Sequence, residues 1–323
     1  MSAKSAAEPR VIRVGTRASA LALTQTKWIA DRIARAADAT VEIVEITTHG
    51  DTSRASLSQI GGQGVFVTAL RDALLRGECD LIVHSLKDLP TAEHPGLRLA
   101  AIPKREDARD ALCARDGLTL KTLPADAKVG TGSPRRIAQV RMHRPDLEVI
   151  DLRGNVDTRL GKVTSGELDA VLLAAAGLSR LGRLAEASEL LDLGEWPTAP
   201  GQGALAVETR AERGPRWLEH ALESVDHAST RATVAAERLV LAGLEAGCSA
   251  PVAASAFMED ELLFLTGAVY DLDGTRVLTS AHATTPESRS AAHLAEAAAD
   301  AAQRVVTELL GNGAADLAPL RGA

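Results

Sequence analysis

The hydrophobic positions of this chain follow two alternating patterns. Short apolar runs typical of buried strands are separated by segments with the roughly 3.6-residue period of amphipathic helices, at 20–36 and 66–76. The predicted strands of this first stretch are residues 11–16, 41–47 and 81–84. A stretch rich in Gly, Ser and Gln at 49–64 interrupts the alternation, and we expect it to form a mobile lid. This order of elements predicts an α/β fold with a parallel sheet.

Two pieces of sequence recur in the same order, which indicates two similar units in tandem. The tripeptide Val-Gly-Thr at 14–16 returns at 129–131, each time after a short strand and before a helix. The segment 77–83, a turn leading into a buried strand, is matched by 166–172. We therefore expect two tandem α/β domains.

A third, smaller α+β unit follows the pair. It begins near Ala228 with a helix that runs through 246, continues with strands at 252–257 and 262–269, and closes with an Ala-rich helix at 288–310. The predicted domain limits are 9–104 for the first domain, with a return segment at about 206–224, then 105–205 for the second and 228–323 for the third.

Composition narrows the classes of partner. Aromatic residues make up only 2% of the 323 residues, so base stacking on single-stranded nucleic acid is not expected. A net charge of -7 argues against nonspecific binding to nucleic acid or to anionic membranes. Residues 1–10 lack the apolar centre of a secretory signal, and no run approaches the roughly 20 apolar residues of a membrane span. We expect a cytoplasmic protein with reduced thiols.

The three cysteines fall into two kinds. Cys79 and Cys113 lie at or within apolar runs and are predicted to be small buried core residues. Cys248 directly follows Gly247, where the predicted helix ends, and precedes a Pro-containing turn. The negative end of the helix dipole does not favour a thiolate there, so a thiol that is modified once suits the position better than a nucleophile that turns over.

Basic and hydroxyl side chains follow the strands of both repeated units. At such turns the backbone N–H groups and the positive helix end favour an anion, and guanidinium groups add bidentate pairing. Each arginine alone is more often simply solvated. Together they predict a cleft at the carboxyl edge of the sheets for a ligand with several carboxylates or phosphates. These residues are Arg17, Ser19, Ser133, Arg135, Arg136, Arg153 and Arg159.

The strand at 81–84 leads into Lys87 and Asp88, which places an ammonium and a carboxylate at the same edge. Asp88 is the acid/base candidate, and the alternative is a loop aspartate or a helix cap. His84 is expected to pack or to hydrogen bond, because no second metal ligand lies at a suitable spacing. The chain has neither a P-loop nor a dinucleotide fingerprint.

These motifs together resemble the hydroxymethylbilane synthase family, also called porphobilinogen deaminase. The resemblance runs from about Val11 to beyond Cys248, and several ordered motifs of this length are very specific. The motifs are Gly-Thr-Arg-Ala-Ser at 15–19, His-Ser-Leu-Lys-Asp-Leu-Pro at 84–90, Gly-Thr-Gly-Ser-Pro-Arg-Arg at 130–136, Arg-Gly-Asn-Val at 153–156, Ala-Pro-Gly-Gln-Gly at 199–203 and Gly-Cys at 247–248.

The resemblance implies a three-domain enzyme whose first two domains are like type II periplasmic binding proteins. It implies a transferase that deaminates four porphobilinogen molecules and condenses them into hydroxymethylbilane, using a dipyrromethane held by a thioether to Cys248 and no metal. Asp88 would assist proton transfer and stabilise positive charge on the pyrrole N–H groups. The residues implied to hold the cofactor are Lys87, Asp88, Thr131, Ser133, Arg135 and Arg136. The residues implied to hold substrate are Arg17, Ser19, Phe66, Arg153, Arg159 and Gln202.

The chain departs from the family in the predicted lid region. Gln59, Gln63 and Thr68 stand where family members often carry lysine, whereas Phe66 matches an aromatic residue of that region. The substitutions change the expected contacts to acetate and propionate groups but spare Asp88 and Cys248.

Two other functions are compatible with the repeats and the arginines. One is a two-domain anion-binding or sensory module, which leaves Asp88 and Cys248 without a task. The other is an inactive structural homologue. For the enzyme we expect a monomer with porphobilinogen as its small-molecule partner, and a transient hand-over of product to the next pathway enzyme.

Overall fold

The structure is a computed structural model that describes residues 9–47, 67–247 and 250–320. The predicted lid at 49–64, with Gln59 and Gln63, lies outside the described residues, and so do Phe66 and Cys248. Within the described ranges, no helix combines the length and the apolar character needed to cross a membrane.

The first unit is a five-stranded sheet in the order β2-β1-β3-β10-β4. Its strands are β1 Val11–Thr16, β2 Thr40–Glu45, β3 Leu81–Ser85, β4 Leu97–Ala101 and β10 Leu205–Arg210. Strand β1 is parallel to β2 and β3, while β10 is antiparallel to both of its neighbours. Helices Ala20–Ala37, Thr68–Leu75 and Arg216–Val225 belong to this unit. The sheet is buried because its central strands carry continuous apolar runs.

The second unit repeats this plan with the order β7-β6-β8-β5-β9. Its strands are β5 Asp110–Ala114, β6 Lys128–Gly130, β7 Glu148–Ile150, β8 Ala170–Ala174 and β9 Glu189–Leu190. Strand β6 is parallel to β7 and β8, and β5 is antiparallel to β8. Its helices are Pro134–His143, Val156–Thr164 and Ala175–Arg180. The fourth strand of each sheet is therefore the antiparallel one.

The sequence repeats correspond to equivalent positions of the two sheets. Gly15 pairs with Ile82 across β1 and β3, and Gly130 pairs with Val171 across β6 and β8. A Cβ added at Gly15 would lie 2.8 Å from Ile82 Cγ2, and one at Gly130 would lie 2.6 Å from Leu168 Cδ1. Both sites demand glycine because neighbouring side chains occupy the space, and overpacking of this kind costs about 1–3 kcal/mol.

A shared hydrogen bond extends the match to polar groups. Asp80 Oδ2 accepts from the backbone N–H of Arg13 at 2.9 Å, and Asp169 Oδ2 accepts from that of Lys128 at 2.7 Å. Gly77 and Gly166, which open the two matching segments, both have φ of +75°. The predicted tandem α/β units are confirmed.

The third unit is a three-stranded antiparallel sheet packed on two long helices and one short one. Its strands are β11 Val252–Glu259, β12 Leu262–Tyr270 and β13 Val277–Thr284, and its helices are Ala228–Gly243, Ala291–Gly311 and Ala314–Leu317. The core is rich in alanine, which lets the helices approach the sheet closely. Strand β13 was not predicted, because its alternating pattern contains only two large apolar residues, Val277 and Leu278.

Several predicted limits shift by a few residues. The final helix begins after Ser290, whose side chain caps it by accepting from the N–H of His293. The helix predicted to run to 246 ends at Gly243. Cys79 and Cys113 are buried and free, as predicted, and burial raises the pKa of their thiols to about 11 and about 12.

Candidate active site

Asp88 lies on a tight turn at the carboxyl end of β3. The short 3-10 helix Leu86–Asp88 follows the strand directly, and Leu86 and Leu89 on either side of the polar pair are buried. These two leucines anchor the turn, so that Asp88 is exposed and Lys87 is half-buried. Ser85 stands at the N-cap position of this 3-10 helix. The alternative role of Asp88 as a helix cap is therefore wrong.

Lys87 reaches towards the segment that joins the two sheets. Its Nζ donates to Oε1 of the buried Gln202 at 3.3 Å. Burial, reinforced by the nearby Arg136 guanidinium, lowers the pKa of Lys87 to about 8, although the Asp88 carboxylate opposes the shift. Lys87 is thus a cation that can lose its charge close to physiological pH.

Asp110 organises the second unit's part of the site. It is the first residue of β5 and is fully buried. Its Oδ2 accepts from Arg135 Nη1 and Trp196 Nε1, both at 2.9 Å. Its Oδ1 accepts from Arg136 Nη2 at 2.6 Å and from Gln202 Nε2 at 2.8 Å. Burial alone would raise the pKa of Asp110, but the two guanidinium groups outweigh it and hold the pKa far below its usual range.

The predicted anion-binding arginines 135 and 136 are accordingly buried and already paired with a carboxylate. The single negative charge of Asp110 neutralises only one of the two guanidinium charges, so these three residues keep a net positive charge. The Nε atoms of both arginines are buried and make no hydrogen bond to any described residue. Sequence reasoning did not identify Asp110 or Trp196, because neither belongs to a motif at a strand-to-helix turn.

Arg153 and Arg159 approach from the segment after β7. The helix Val156–Thr164 begins at the N-cap Asn155, and Arg159 Nε donates to the carbonyl of Gly154 at 2.8 Å. Burial, together with the charges of Arg136 and Arg153, lowers the pKa of Arg159 to about 10. Nη2 of Arg153 is buried and has no hydrogen-bond partner among the described residues. A carboxylate of a bound ligand would satisfy this nitrogen.

Thr131 and Ser133 form the turn that starts the helix Pro134–His143. Thr131 is buried, and its Oγ1 accepts from the N–H of Ser133 at 3.3 Å. Ser133 occupies the N-cap position, but its hydroxyl makes no cap hydrogen bond within the described chain. This leaves the hydroxyl available at the positive end of the helix.

Arg17 and Ser19 lie at the corresponding turn of the first unit. Strands β1 and β3 are parallel, so this turn is at the same sheet edge as the Asp88 turn. Ser19 Oγ caps the helix Ala20–Ala37 by accepting from the N–H of Ala22 at 3.3 Å. Arg17 is half-buried.

One further arginine, outside every motif quoted above, belongs to the same region. Arg180 ends the helix Ala175–Arg180 and donates from Nη2 to the carbonyl of Gly203 at 2.7 Å. Burial lowers its pKa to about 10, although Glu106 opposes this shift. Arg180 is linked to the site only by its hydrogen bond to Gly203, the residue that follows Gln202. This contact joins distant parts of the chain, which explains why no local sequence pattern marked Arg180.

The charge around Asp88 suits a ligand that carries carboxylates. The charges of Arg136 and Asp88 affect the pKa values of both Lys87 and Arg159, so these two cations lie in one electrostatic cluster. The cations of this cluster are Lys87, Arg135, Arg136, Arg153 and Arg159, and its carboxylates are Asp88, Asp110 and Asp151. Its excess of positive charge and the unpartnered Nη2 of Arg153 fit the acetate and propionate groups of a dipyrromethane. Among the described residues, no group of three or more His, Cys, Asp or Glu is arranged to hold a metal ion.

Comparison with known proteins gives the family. Residues 12–215 match the family model "Porphobilinogen deaminase, dipyromethane cofactor binding domain", and residues 231–310 match "Porphobilinogen deaminase, C-terminal domain". The chain is 63% identical to porphobilinogen deaminase of Leifsonia xyli over 96% of this chain and 95% of the relative. It is 52% identical to porphobilinogen deaminase 1 of Streptomyces coelicolor over 95% of this chain and 97% of that relative.

Among solved structures, the methionine binding protein MetQ matches with a TM-score of 0.44 and 11% identity, over 68% of this chain and 91% of that chain. The two family models together cover all three units of the fold. The Asp88 turn, the arginine cluster and Gln202 all lie within the matched cofactor-binding domain. From the family models and from relatives that align over nearly the whole chain, this chain belongs to the porphobilinogen deaminase family.

Proposed function

We propose that this enzyme joins four porphobilinogen units into hydroxymethylbilane at the Asp88 turn, with a dipyrromethane primer attached to Cys248. The family establishes the reaction class, a deaminating transferase of tetrapyrrole biosynthesis. The observation that carries the assignment of the site is the exposed Asp88 carboxylate beside a cationic cluster with an unpartnered arginine nitrogen.

Cationic side chains, with polar and aromatic neighbours, hold the cofactor and the substrate, and the cations pair with their acetate and propionate groups. Lys87, Thr131, Ser133, Arg135 and Arg136 serve the cofactor, and the substrate is held by Arg17, Ser19, Phe66, Arg153, Arg159 and Gln202. A buried or half-buried guanidinium binds a carboxylate more strongly than a solvated one does, because water screens it less. When bound, the dipyrromethane group supplies the pyrrole carbon to which new units are added.

Asp88 accepts and returns protons and stabilises positive charge on the pyrrole N–H groups. The short 3-10 turn fixes its backbone, so the carboxylate needs little rearrangement as charge develops. The same carboxylate can therefore serve each of the condensations.

We also propose the domain limits, the location and the oligomeric state of the enzyme. The domain limits are 9–104 with 206–224, 105–205 and 228–323. The enzyme works in the cytoplasm as a monomer and hands its product transiently to the next enzyme of the pathway. Size-exclusion chromatography with light scattering tests the monomer, and a dimer at micromolar concentration would contradict it.

Intact mass under denaturing conditions tests the covalent cofactor. The parent protein is expected to exceed its sequence mass by two linked pyrrole units, and Cys248→Ser is expected to show the sequence mass. A parent that stays unmodified after incubation with porphobilinogen or preassembled bilane would contradict the proposal.

Asp88→Ala tests the catalytic carboxylate. We expect turnover to fall about 10²–10⁴-fold, since this is the usual contribution of a positioned acid/base. Asp88→Asn keeps the size of the side chain and controls for packing, and urea unfolding of both variants should match the parent. Nearly unchanged turnover would remove Asp88 from its role.

A further inference from the structure

Tyr270 is the chain's single tyrosine, and it links the third unit to the arginine cluster of the second. It is the last residue of β12 and is buried in a small hydrophobic cluster with three alanines, one of which is Ala138 from the helix Pro134–His143. Its hydroxyl accepts from Nε2 of Gln139 at 3.1 Å. Its backbone N–H donates to the carbonyl of Pro251 at 3.0 Å. One residue thus contacts both the segment that follows Cys248 and the helix that carries Arg135 and Arg136.

Gln139 is hydrogen bonded to both Tyr270 and Arg135 and so links the two residues. Its Oε1 accepts from Arg135 Nη1 at 2.6 Å, while its Nε2 donates both to Tyr270 and to the carbonyl of Pro197, the latter at 2.9 Å. Both amide hydrogens are used by these two acceptors. A flip of the amide would turn N–H groups towards the guanidinium and would lose the bonds to the Pro197 carbonyl and from Arg135, whereas the Tyr270 hydroxyl can donate as well as accept. Arg135 and Pro197 therefore fix the direction of the amide, and Tyr270 is the second acceptor for its N–H groups in that direction.

The orientation of Arg135 matters for the whole cationic cluster. Arg135 shares Asp110 with Arg136, and Asp110 also binds Gln202, which accepts from Lys87. The contacts run without a break from Tyr270 through Gln139, Arg135, Asp110 and Gln202 to Lys87. Without Gln139, Asp110 and the Pro197 carbonyl alone would hold Arg135 Nη1.

We propose that Gln139 and Tyr270 are positioning residues for the cofactor, holding the arginine pair in register with the segment that bears the attachment cysteine. This inference rests on the proposed function. A cofactor held both by a thioether from the third unit and by carboxylate contacts to the arginine pair requires that the third unit and the helix Pro134–His143 keep a fixed relation. The Pro251–Tyr270–Gln139–Arg135 contacts join these two parts of the chain.

The test compares Gln139→Leu, Tyr270→Phe and the control Arg141→Met. Arg141 is exposed on the same helix and donates to the carbonyl of Leu272 at 2.7 Å, so its replacement removes a bond to the third unit without touching Arg135. We expect Gln139→Leu to raise the KM for porphobilinogen or lower the fraction of protein carrying the adduct about tenfold. We expect Tyr270→Phe to do so about two- to fivefold, and Arg141→Met to match the parent.

The ionisation of Tyr270 reports on the same contacts. Burial raises the pKa of Tyr270, and the Gln139 hydrogen bond opposes that shift. Removal of the bond in Gln139→Leu is expected to raise the tyrosinate transition further, as followed by near-ultraviolet absorbance. Arg141→Met should leave the transition where it is.

The outcomes separate the inference from the function on which it rests. An active, modified parent whose Gln139→Leu and Tyr270→Phe variants behave like Arg141→Met would overturn the positioning role. A parent with neither adduct nor turnover would overturn the function and the inference with it. If Gln139→Leu does not fold, Tyr270→Phe decides, because it removes only one oxygen atom.

Discussion

The two sheets share their strand order and differ in where the fourth strand carries a buried carboxylate. Glu208 in β10 lies opposite Ile82, the second residue of β3, and pairs with Arg71 and His84. Asp110 in β5 lies opposite Ala174, the last residue of β8. The first carboxylate is therefore enclosed within its unit, whereas the second is at the carboxyl edge where ligands bind. The two sheets have the same arrangement, so the position of the carboxylate along the fourth strand decides its role. Glu208 forms an ion pair inside its unit, whereas Asp110 holds the arginine pair at the edge of the candidate site.

The turns after the first strand differ in the same way. In the first unit, the hydroxyls of Thr16 and Thr26 hydrogen bond to each other at 2.7 Å, and Ser19 caps the helix. In the second unit, Ser133 makes no such cap bond and the arginines behind it are held by Asp110. In the first unit the hydroxyls of this turn are hydrogen bonded within the fold, and Asp88 comes from another turn. In the second unit the turn presents an uncapped hydroxyl next to positive charge.

Asp110→Asn gives the sharpest test of this comparison. It leaves two buried guanidinium groups without their carboxylate, which we expect to cost about 3–5 kcal/mol of unfolding free energy and most of the cofactor occupancy. Glu208→Gln should also destabilise the protein but leave the adduct on surviving folded protein. Urea unfolding and intact mass measure the two effects, and equal adduct loss in both variants would contradict the distinction.

Glu208 also predicts that the stability of the protein falls in acid. Burial alone would raise the pKa of Glu208, but the adjacent His84 and Arg71 side chains lower it from 4.5 to about 2. A depressed folded pKa contributes stability that is present above the unfolded pKa and is lost as the pH falls through the folded one. We expect this part of the stability to be lost between about pH 4.5 and pH 2, and Glu208→Gln should lack that part of the transition.

Lys87 predicts a smaller effect, on the alkaline side. With a pKa of about 8, its ammonium loses a proton as the pH rises from 7 to 9. Because carboxylates bind the protonated form and Lys87 is assigned to the cofactor, we expect kcat/KM to fall up to about tenfold per pH unit above that pKa as the cofactor is held less firmly. Lys87→Arg should flatten this part of the profile, since a guanidinium stays charged. A profile that is unchanged in Lys87→Arg would assign the dependence to another group.

The smallest expected difference compares the two serines. Ser19→Ala removes a helix cap and should cost about 1 kcal/mol of unfolding free energy. Ser133→Ala removes no cap bond and should stay within about 0.5 kcal/mol, while lowering the fraction of protein that carries the adduct. Thermal or urea unfolding of the two variants side by side checks this, and equal destabilisation would show that the turns are alike.

Sequence patterns predicted a large part of the fold for a physical reason. Gly15 and Gly130 recur because side chains of neighbouring strands fill the space that a Cβ would take. Asp80 and Asp169 recur because each accepts a backbone N–H of the neighbouring parallel strand, β1 or β6. Local constraints of this kind repeat whenever the same supersecondary unit is built twice, and so they are visible in one sequence. The roles of Phe66 and Cys248 stay predictions, since both residues lie outside the described ranges.

The sequence by itself determined the tandem α/β units, the turn that presents Asp88 and the motifs of the family. Only the tertiary structure showed that Asp110 balances both arginines, that Gln202 connects Lys87 to Asp110, and that Tyr270 meets Gln139. These contacts join residues 25 to 131 positions apart. Short-range patterns record backbone conformation and burial, whereas the pairing of distant charges depends on how the sheets and the third unit pack together.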